Sequence, residues 1–154
     1  MLKLLREARA IAVLAAALFL AAMLATHSIN DPGFFTTGGE GVQPANLAGS
    51  LGAWVSDLLL GLMGYSAWWL VVLAIGYAVW VFRHLEEEPL ANRRHLWVGL
   101  GGFALLVLSS SALEYLRLWS MKDLPHGAGG ILGQGIGGLF QSMTGFTGST
   151  LLLL

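Results

Sequence analysis

Four stretches of this chain carry no Lys, Arg, Asp or Glu, and each is rich in apolar residues. They cover residues 10–30, 58–82, 96–113 and 124–154. A helix needs about 20 apolar residues to cross the hydrocarbon core of a bilayer, and in lipid its backbone polar groups must be satisfied within the helix. The pattern therefore predicts membrane-spanning helices near residues 10–27, 64–83 and 96–115, and a fourth that begins at about residue 145.

Part of the chain occurs twice, at an offset of 81 residues. Residues 46–73, termed the first repeat, align without a gap with residues 127–154, termed the second repeat. The identities are Gly49/Gly130, Leu51/Leu132, Gly52/Gly133, Leu58/Leu139, Gly64/Gly145, Leu70/Leu151 and Leu73/Leu154. Two glycine- and leucine-rich segments could also match by chance. The shared apolar register favours a true duplication over a chance match.

Within each repeat, apolar residues recur at spacings of 4, 3 and 4, which predicts one face of an α-helix. These residues are Leu51, Val55, Leu58 and Leu62 in the first repeat, and Leu132, Ile136, Leu139 and Met143 in the second. Polar residues such as Ser56 and Asp57 lie opposite, so each helix is predicted to lie in the membrane interface with its apolar side towards the lipid. Gly64 and Gly145 are predicted to allow the sharp turn into the following span, because glycine tolerates positive φ.

The predicted fold is therefore all-α: a polytopic membrane protein with two parallel helical-hairpin repeats, each with an interfacial amphipathic helix. In the first repeat the apolar run continues past Leu73 to Phe82, whereas the chain ends at Leu154, the equivalent of Leu73. The fourth span is thus predicted to be incomplete, and residues 1–154 to be one four-span membrane region cut from a longer protein.

Composition agrees with a membrane protein, since apolar residues make up 56% of the chain and charged residues 11%, against about 25% charged residues in soluble domains. The absence of cysteine excludes disulfides and thiolate metal sites, and a net charge of -1 gives no indication of nucleic-acid binding. Six of the 8 Lys and Arg residues precede the first span or lie between the second and third, which predicts a cytoplasmic N-terminus. The first apolar stretch is longer than the core of a signal peptide, so we interpret it as an uncleaved anchor.

Glycines supply the candidates for helix packing. Gly129, Gly133 and Gly137 recur every four residues, the pattern that lets two helices approach closely. Residues 133–138 also match GxGxxG, but the preceding strand and the later acidic residue of a dinucleotide site are missing, which disfavours a cofactor role. A flexible glycine linker is the remaining alternative to packing.

Two acidic residues, Asp57 and Glu114, lie near or within apolar stretches. An acid inside a membrane is a functional candidate because burying its charge is costly. Both acids are predicted at outer helix ends within reach of water, however, which favours structural or interfacial roles. The four histidines lack metal-ligand spacing, and no phosphate-binding loop or nucleophile with a base and an acid is present, so the sequence offers no catalytic, cofactor-binding or metal-binding residues.

A resemblance to a known family rests on the order of several short motifs. They are Ser28-Ile29-Asn30-Asp31-Pro32, Asn46-Leu47-x-Gly49-x-x-Gly52-Ala53-Trp54-Val55-Ser56-Asp57, Gly64-Tyr65-Ser66-Ala67, and the glycine-rich segment 127–133. In these motifs, and over nearly its whole length, the chain resembles the N-terminal four-span membrane region of the FtsK/SpoIIIE family of bacterial DNA translocases.

The resemblance implies a multi-pass anchor in the bacterial inner membrane, at the division septum, that contacts divisome membrane proteins and couples chromosome segregation to cell division. It also implies that the family's ATP-driven DNA-pumping motor, which makes the protein a homo-oligomeric hexamer, lies outside these residues. Neither ATP nor nucleic acid is then expected to bind this segment. Trp54, Asp57, Gly64 and Gly145 join the three packing glycines as interface candidates. The alternative function is a small membrane transporter or channel subunit, which would need polar groups within the spans.

Overall fold

The computed structural model describes residues 2–38, 43–83, 93–118 and 124–154. Within these ranges the chain forms five α-helices, one 3-10 turn and no strand, which confirms the all-helical prediction. The helices are α1 (Leu2–Ala25), α2 (Gly49–Met63), α3 (Trp68–Arg83), α4 (Arg93–Arg117) and α5 (Gly130–Leu153), and the 3-10 turn is Gly64–Ala67.

In the part of the chain that the structure describes, three segments are long and apolar enough to cross a membrane: Leu4–Ala25, Gly49–Arg83 and Leu96–Arg117. The middle segment has 35 residues, more than the roughly 20 that a straight span requires, because it joins α2, the 3-10 turn and α3. The segment after Gly145, where a fourth span is predicted to begin, is not among the three.

Helices α1 and α3 form an antiparallel pair. The guanidinium of Arg9, early in α1, lies 5.8 Å from the centre of the Tyr77 ring, late in α3. At the other end, Leu24 of α1 shares a buried apolar cluster with Ala67 and Val71, where α3 begins. The N-terminus of α1 and the C-terminus of α3 therefore lie at the same end of this hairpin.

Helices α4 and α5 form the second pair. Ala112 and Leu116 of α4 share a buried cluster with Leu153 of α5. Helix α2 and the 3-10 turn lie between the two pairs and contact α1, α4 and α5. The polar residues of α2 are consequently surrounded by protein on several sides.

One local turn of the backbone recurs at the offset of 81 residues. Gly49 and Gly130 open α2 and α5 with φ values of 63° and 61°. The amide of Gly49 donates to the carbonyl oxygen of Asn46 at 2.8 Å, and the amide of Gly130 donates to that of Gly127 at 3.1 Å. Each helix of the repeat thus begins with the same turn.

The helix of each repeat is broken at a glycine. Gly64 has φ 64° and ψ -147°, and Gly145, inside α5, has φ 68° and ψ 178°. These angles lie in a region that is almost restricted to glycine. We term Gly64 the first break and Gly145 the second break. The 3-10 turn follows only the first break, whereas helical geometry resumes directly after the second.

The end of α1 differs slightly from the predicted span. The helix ends at Ala25 rather than at residue 27. Next to this end, the Thr26 hydroxyl donates to the carbonyl oxygen of Ala22 at 2.7 Å and accepts the N–H of Leu47 at 3.1 Å. These bonds tie the chain that leaves α1 to the chain that approaches α2. Several residues used to predict orientation or to exclude a metal site lie outside the described residues or have undescribed side chains: Lys3, His84, Arg93, Arg94, His95 and Lys122.

Candidate functional site

Polar side chains are gathered where α1 ends and α2 begins. This polar cluster comprises His27, Asp31, Asn46, Ser56 and Asp57. Asp57 is only 1% exposed, so the prediction that water reaches its carboxylate is wrong. The polar face of α2 turns into the protein, where other parts of the chain supply its hydrogen bonds, while Leu51 of the apolar stripe stays exposed.

Asp57 holds the loop that follows α1. Its Oδ2 accepts the backbone N–H groups of Phe35 and Thr36, the latter at 3.3 Å. A Cβ at position 33 would overlap the Asp57 carboxylate, so Gly33 allows the loop to approach closely. Hydrogen bonds to an ionised carboxylate are roughly twice as strong as neutral ones. The loop is therefore attached to α2 through one buried side chain.

Asp31 and Asn46 join the start of α2 to the end of α1. Asp31 accepts the N–H of Ala45 at 2.8 Å and that of Asn46 at 3.0 Å, one on each carboxylate oxygen. The Asn46 side chain donates to the carbonyl oxygen of Met23 at 2.8 Å and accepts the N–H of Ala48 at 3.0 Å. These four bonds set the position of the first turn of α2.

His27 is the titratable base of the polar cluster. Its Nδ1 lies 3.3 Å from the Ser56 hydroxyl. Burial lowers the pKa of His27 below its ordinary value, against the opposing effect of the Asp57 and Asp31 carboxylates. Within the described residues, His27 Nε2 and Asp57 Oδ1 are buried without a hydrogen-bond partner, and no group of three His, Cys, Asp or Glu could hold a metal ion.

A second polar site lies at the N-terminus of α3. Glu114, from α4, accepts the N–H of Ser66 at 3.1 Å and the Ser66 hydroxyl at 2.8 Å. Its Oε1 also accepts the Ser110 hydroxyl at 3.3 Å, and the indole N–H of Trp69 donates to that hydroxyl at 3.2 Å. The first N–H groups of a helix have no partner within it and favour negative charge. Glu114 therefore caps α3 from a different helix.

The three glycines spaced by four residues face α4. A Cβ at Gly129 or Gly133 would overlap the backbone carbonyl oxygen of Ser111. A Cβ at Gly137 would lie 2.7 Å from the Tyr115 ring. Small residues at such positions allow the backbones of two helices to come into contact, and here they bring α5 against α4.

The first break touches the start of the second repeat. The N–H of Tyr65 donates to the carbonyl oxygen of Ala128 at 2.9 Å, and a Cβ at Gly64 would overlap that oxygen. The Ser111 hydroxyl donates to the carbonyl oxygen of Met63 at 2.9 Å. That bond satisfies an acceptor that the break in the helix leaves free.

The remaining predicted candidates lie at the surface. Trp54 is exposed and packs edge to face against Phe34, with ring centres 5.5 Å apart. Gly145 is exposed, and no described atom lies within 4 Å of where its Cβ would be. The predicted residues thus occupy three kinds of place. Asp57 lies in the polar cluster, Gly64 and the three packing glycines are buried at contacts between different parts of the chain, and Trp54 and Gly145 lie at the surface.

Sequence analysis missed three serines, Ser66, Ser110 and Ser111, that make these contacts. Ser66 and Ser111 are almost fully buried. Their position within apolar stretches could have indicated a structural role, because a hydroxyl group buried among apolar residues needs a hydrogen-bond partner. Nothing in their spacing indicated that Glu114 and Met63 would be those partners.

The two polar sites immobilise the chain and do not resemble a reaction centre. Both acids of the polar cluster and Glu114 accept hydrogen bonds from backbone or hydroxyl groups of this chain. They fix a loop, a helix start and a helix break. The fold and these sites together define a polytopic helical membrane region in which buried polar side chains lock loops and broken helices together.

Comparison with known families identifies the group to which this region belongs. A family model that describes the 4TM region of DNA translocase FtsK/SpoIIIE matches residues 2–154. The chain therefore belongs to that family. No solved structure matches it.

Individual relatives agree along most of the chain. DNA translocase FtsK 2 of Ralstonia nicotianae is 36% identical over 158 residues, which cover 99% of this chain and 20% of the relative. DNA translocase FtsK of Pseudomonas syringae pv. syringae is 34% identical over 156 residues, 97% of this chain and 19% of the relative. DNA translocase FtsK 1 of Neisseria meningitidis serogroup B is 33% identical over 144 residues, 92% of this chain and 18% of the relative. The chain thus spans about a fifth of the length of these relatives.

Proposed function

We propose that this chain is the membrane anchor and division-site targeting region of a DNA translocase that couples chromosome segregation to cell division. The observation that carries the proposal is the family match across residues 2–154. Relatives named DNA translocase align with it over only 20% of their own length or less. The ATP-driven motor, with its bound ATP and DNA, is therefore proposed to lie outside these residues and to assemble the protein into a homo-oligomer.

The polar cluster supports an anchor that also presents a binding surface. By the predicted orientation, the loop between α1 and α2 lies outside the cytoplasm. Asp57 attaches the loop to α2, Asp31 joins the two described parts of the loop, and the loop exposes Phe34 beside Trp54. We term these two rings the outer aromatic surface, which we propose contacts divisome membrane proteins.

The arrangement of α1 and α3 supports a cytoplasmic N-terminus in the bacterial inner membrane. Arg9 and Arg83 lie at the same end of this antiparallel hairpin and are exposed. The turns at Gly49 and Gly130 have the same backbone geometry. This likeness supports two parallel hairpins that both enter the membrane from the same side. In this arrangement lipid covers the exposed apolar residues of the helices.

The alternative of a transporter is weakened by Glu114. Broken helices in transporters direct the N-terminus of a half-helix at an anionic substrate. In this chain a carboxylate of the protein itself accepts the N–H of Ser66 at the first break. The position that would hold a substrate is thus filled, and the broken helix serves to position α3.

Localisation of a reporter fusion tests the proposed function. Residues 1–154 fused to a fluorescent protein should form a band at mid-cell in dividing bacteria, whereas uniform membrane fluorescence would contradict division-site targeting. A variant with Phe34→Ala and Trp54→Ala should lose the band but stay in the membrane fraction. The matched control, Leu18→Ala with Phe19→Ala, changes exposed apolar residues of α1 and should keep the band.

A further inference from the structure

A close backbone contact joins the two repeats inside the chain. The first break lies against the start of the second repeat, where the N–H of Tyr65 donates to the carbonyl oxygen of Ala128 at 2.9 Å. A Cβ at Gly130 would lie 2.5 Å from the backbone nitrogen of Gly64. The two backbones therefore touch, and Ala128 is only 3% exposed.

The equivalent surfaces on the other halves of the repeats are uncovered. Apart from chain neighbours and the adjacent backbone of the same helix, no described atom lies within 4 Å of a Cβ at Gly145, the equivalent of Gly64, or at Gly49, the equivalent of Gly130. Leu47, which is equivalent to the buried Ala128, is 76% exposed. Among the described residues, then, nothing covers the second break or the start of the first repeat.

Side chains beside the two breaks show the same difference. Met143 is 73% exposed, whereas its equivalent Leu62, which precedes the first break, is half-buried. Phe146 is exposed and its equivalent Tyr65 is half-buried. The second break therefore lacks the cover that the first break receives from the second repeat.

We propose that the second break of one copy docks on the start of the first repeat of the next copy, which reproduces between chains the contact that exists within each chain. Phe146 of one copy then lies against Leu47 of its neighbour, as Tyr65 lies against Ala128. The contact is head to tail, because the two surfaces that meet are different parts of the molecule. Such heterologous contacts close into a ring when the rotation between copies divides a full turn.

A second copy fits these surfaces better than another occupant would, because their equivalents already fit each other inside the chain. The arrangement also suits a membrane. Copies that follow one another about an axis along the membrane normal all keep the same orientation, and the parallel hairpins proposed above have that relation. The inference rests on that parallel arrangement but not on targeting to the division site.

Disulfide crosslinking in the full-length protein in its native membrane tests the contact, and residues 1–154 contain no cysteine that would interfere. The variant Leu47→Cys with Phe146→Cys should give, after mild oxidation, a ladder of dimers, trimers and larger species. Either substitution alone should give no ladder, since a head-to-tail contact never brings two copies of one position together. Membranes that hold a mixture of the two single variants should give dimers only.

The internal contact supplies the matched control. Tyr65→Cys with Ala128→Cys places thiols at the equivalent positions within one chain, and oxidation should close a disulfide inside the monomer without a ladder. Closure there with no ladder for the Leu47 and Phe146 pair would overturn the proposal, and it would indicate that lipid alone covers both surfaces. Failure of the internal pair to close, or dimers from a single variant, would overturn it as well. Because these readouts involve no cell-division phenotype, they are independent of the reporter experiment.

Discussion

At the residue scale, one carboxylate organises the loop after α1. Asp57 accepts two backbone N–H groups from Phe35 and Thr36 while it is itself buried. Backbone donors that lose their acceptor inside a protein keep the full penalty of their removal from water. Asp57 therefore stabilises the loop more by satisfying its neighbours than by any packing of its own small side chain.

Replacing Asp57 measures this contribution. We expect Asp57→Ala to lower the free energy of unfolding by about 2–4 kcal/mol, because two N–H groups lose their acceptor. Asp57→Asn should cost less, since its amide oxygen can still accept. Chemical unfolding in detergent micelles would measure both, with the exposed Ser142→Ala as a control that should change nothing. Equal losses for the two variants at position 57 would point to charge instead of hydrogen bonding.

His27 predicts a dependence of stability on pH. Burial lowers its pKa from the ordinary 6.5, so below that pH the unfolded chain takes up a proton before the folded chain does. Stability is then lost as the pH falls from about 6.5 towards the lowered pKa in the folded state. Above that range both states are neutral and this residue contributes no pH dependence.

The unfolding midpoint between pH 7.5 and 5.5 tests the assignment to His27. The unchanged protein should become less stable towards the acidic end, and His27→Gln should reduce this slope because the amide does not titrate. Thermal unfolding in micelles, followed by circular dichroism, would compare the two. If both proteins show the same slope, another group is responsible.

At the element scale, the two breaks offer a matched pair of substitutions. Alanine at either glycine adopts a backbone conformation that costs about 1–3 kcal/mol. At Gly64 the added Cβ also overlaps the carbonyl oxygen of Ala128, whereas at Gly145 it meets no described atom outside the adjacent backbone within 4 Å. Gly64→Ala should therefore destabilise monomers in micelles by about 1–3 kcal/mol more than Gly145→Ala. Equal effects would show that the contact with Ala128 adds nothing.

The cap of α3 can be tested at Glu114. Glu114→Ala removes the acceptor of the Ser66 N–H and should destabilise the start of α3 by about 1–2 kcal/mol, the usual effect of losing a cap. Glu114→Gln keeps an acceptor oxygen, so the amides at the start of α3 should keep most of their protection from hydrogen exchange. Hydrogen exchange of the amides in the first turn of α3 would report this directly. Unchanged exchange in Glu114→Ala would refute the capping role.

The sequence predicted elements better than contacts. Gly64 and Gly145 can be predicted as breaks because each follows the same apolar spacing in its repeat. Glycine at that position tolerates the positive φ that a sharp turn requires. The burial of Asp57 was not predicted, since its partners are backbone N–H groups of an irregular loop, which any residue other than proline would supply. The pairing of Glu114 with Ser66 spans 48 residues and follows from how the hairpins pack, which spacing along the chain does not encode.

At the scale of the whole molecule, the two ends of one hairpin allow the proposed orientation in the membrane to be tested. Arg83 lies at the end of α3 that is near the N-terminus of α1, and the exposed Ile29 follows the opposite end of α1. In spheroplasts a membrane-impermeant maleimide should label Ile29→Cys and leave Arg83→Cys unlabelled until the membrane is permeabilised. The reverse pattern would invert the proposed topology.

The contacts that hold the first break come from residues that are synthesised after it. Its partners Ser111, Glu114 and Ala128 all belong to the second hairpin, and a ribosome delivers the first hairpin before the second. Until α4 is synthesised, the 35 residues of Gly49–Arg83 have no cap for a broken helix. We expect this segment to leave the insertion machinery as a longer, tilted helix, and to bend at Gly64 only when α4 arrives. Biogenesis of this region would then proceed in two stages, insertion first and bending second.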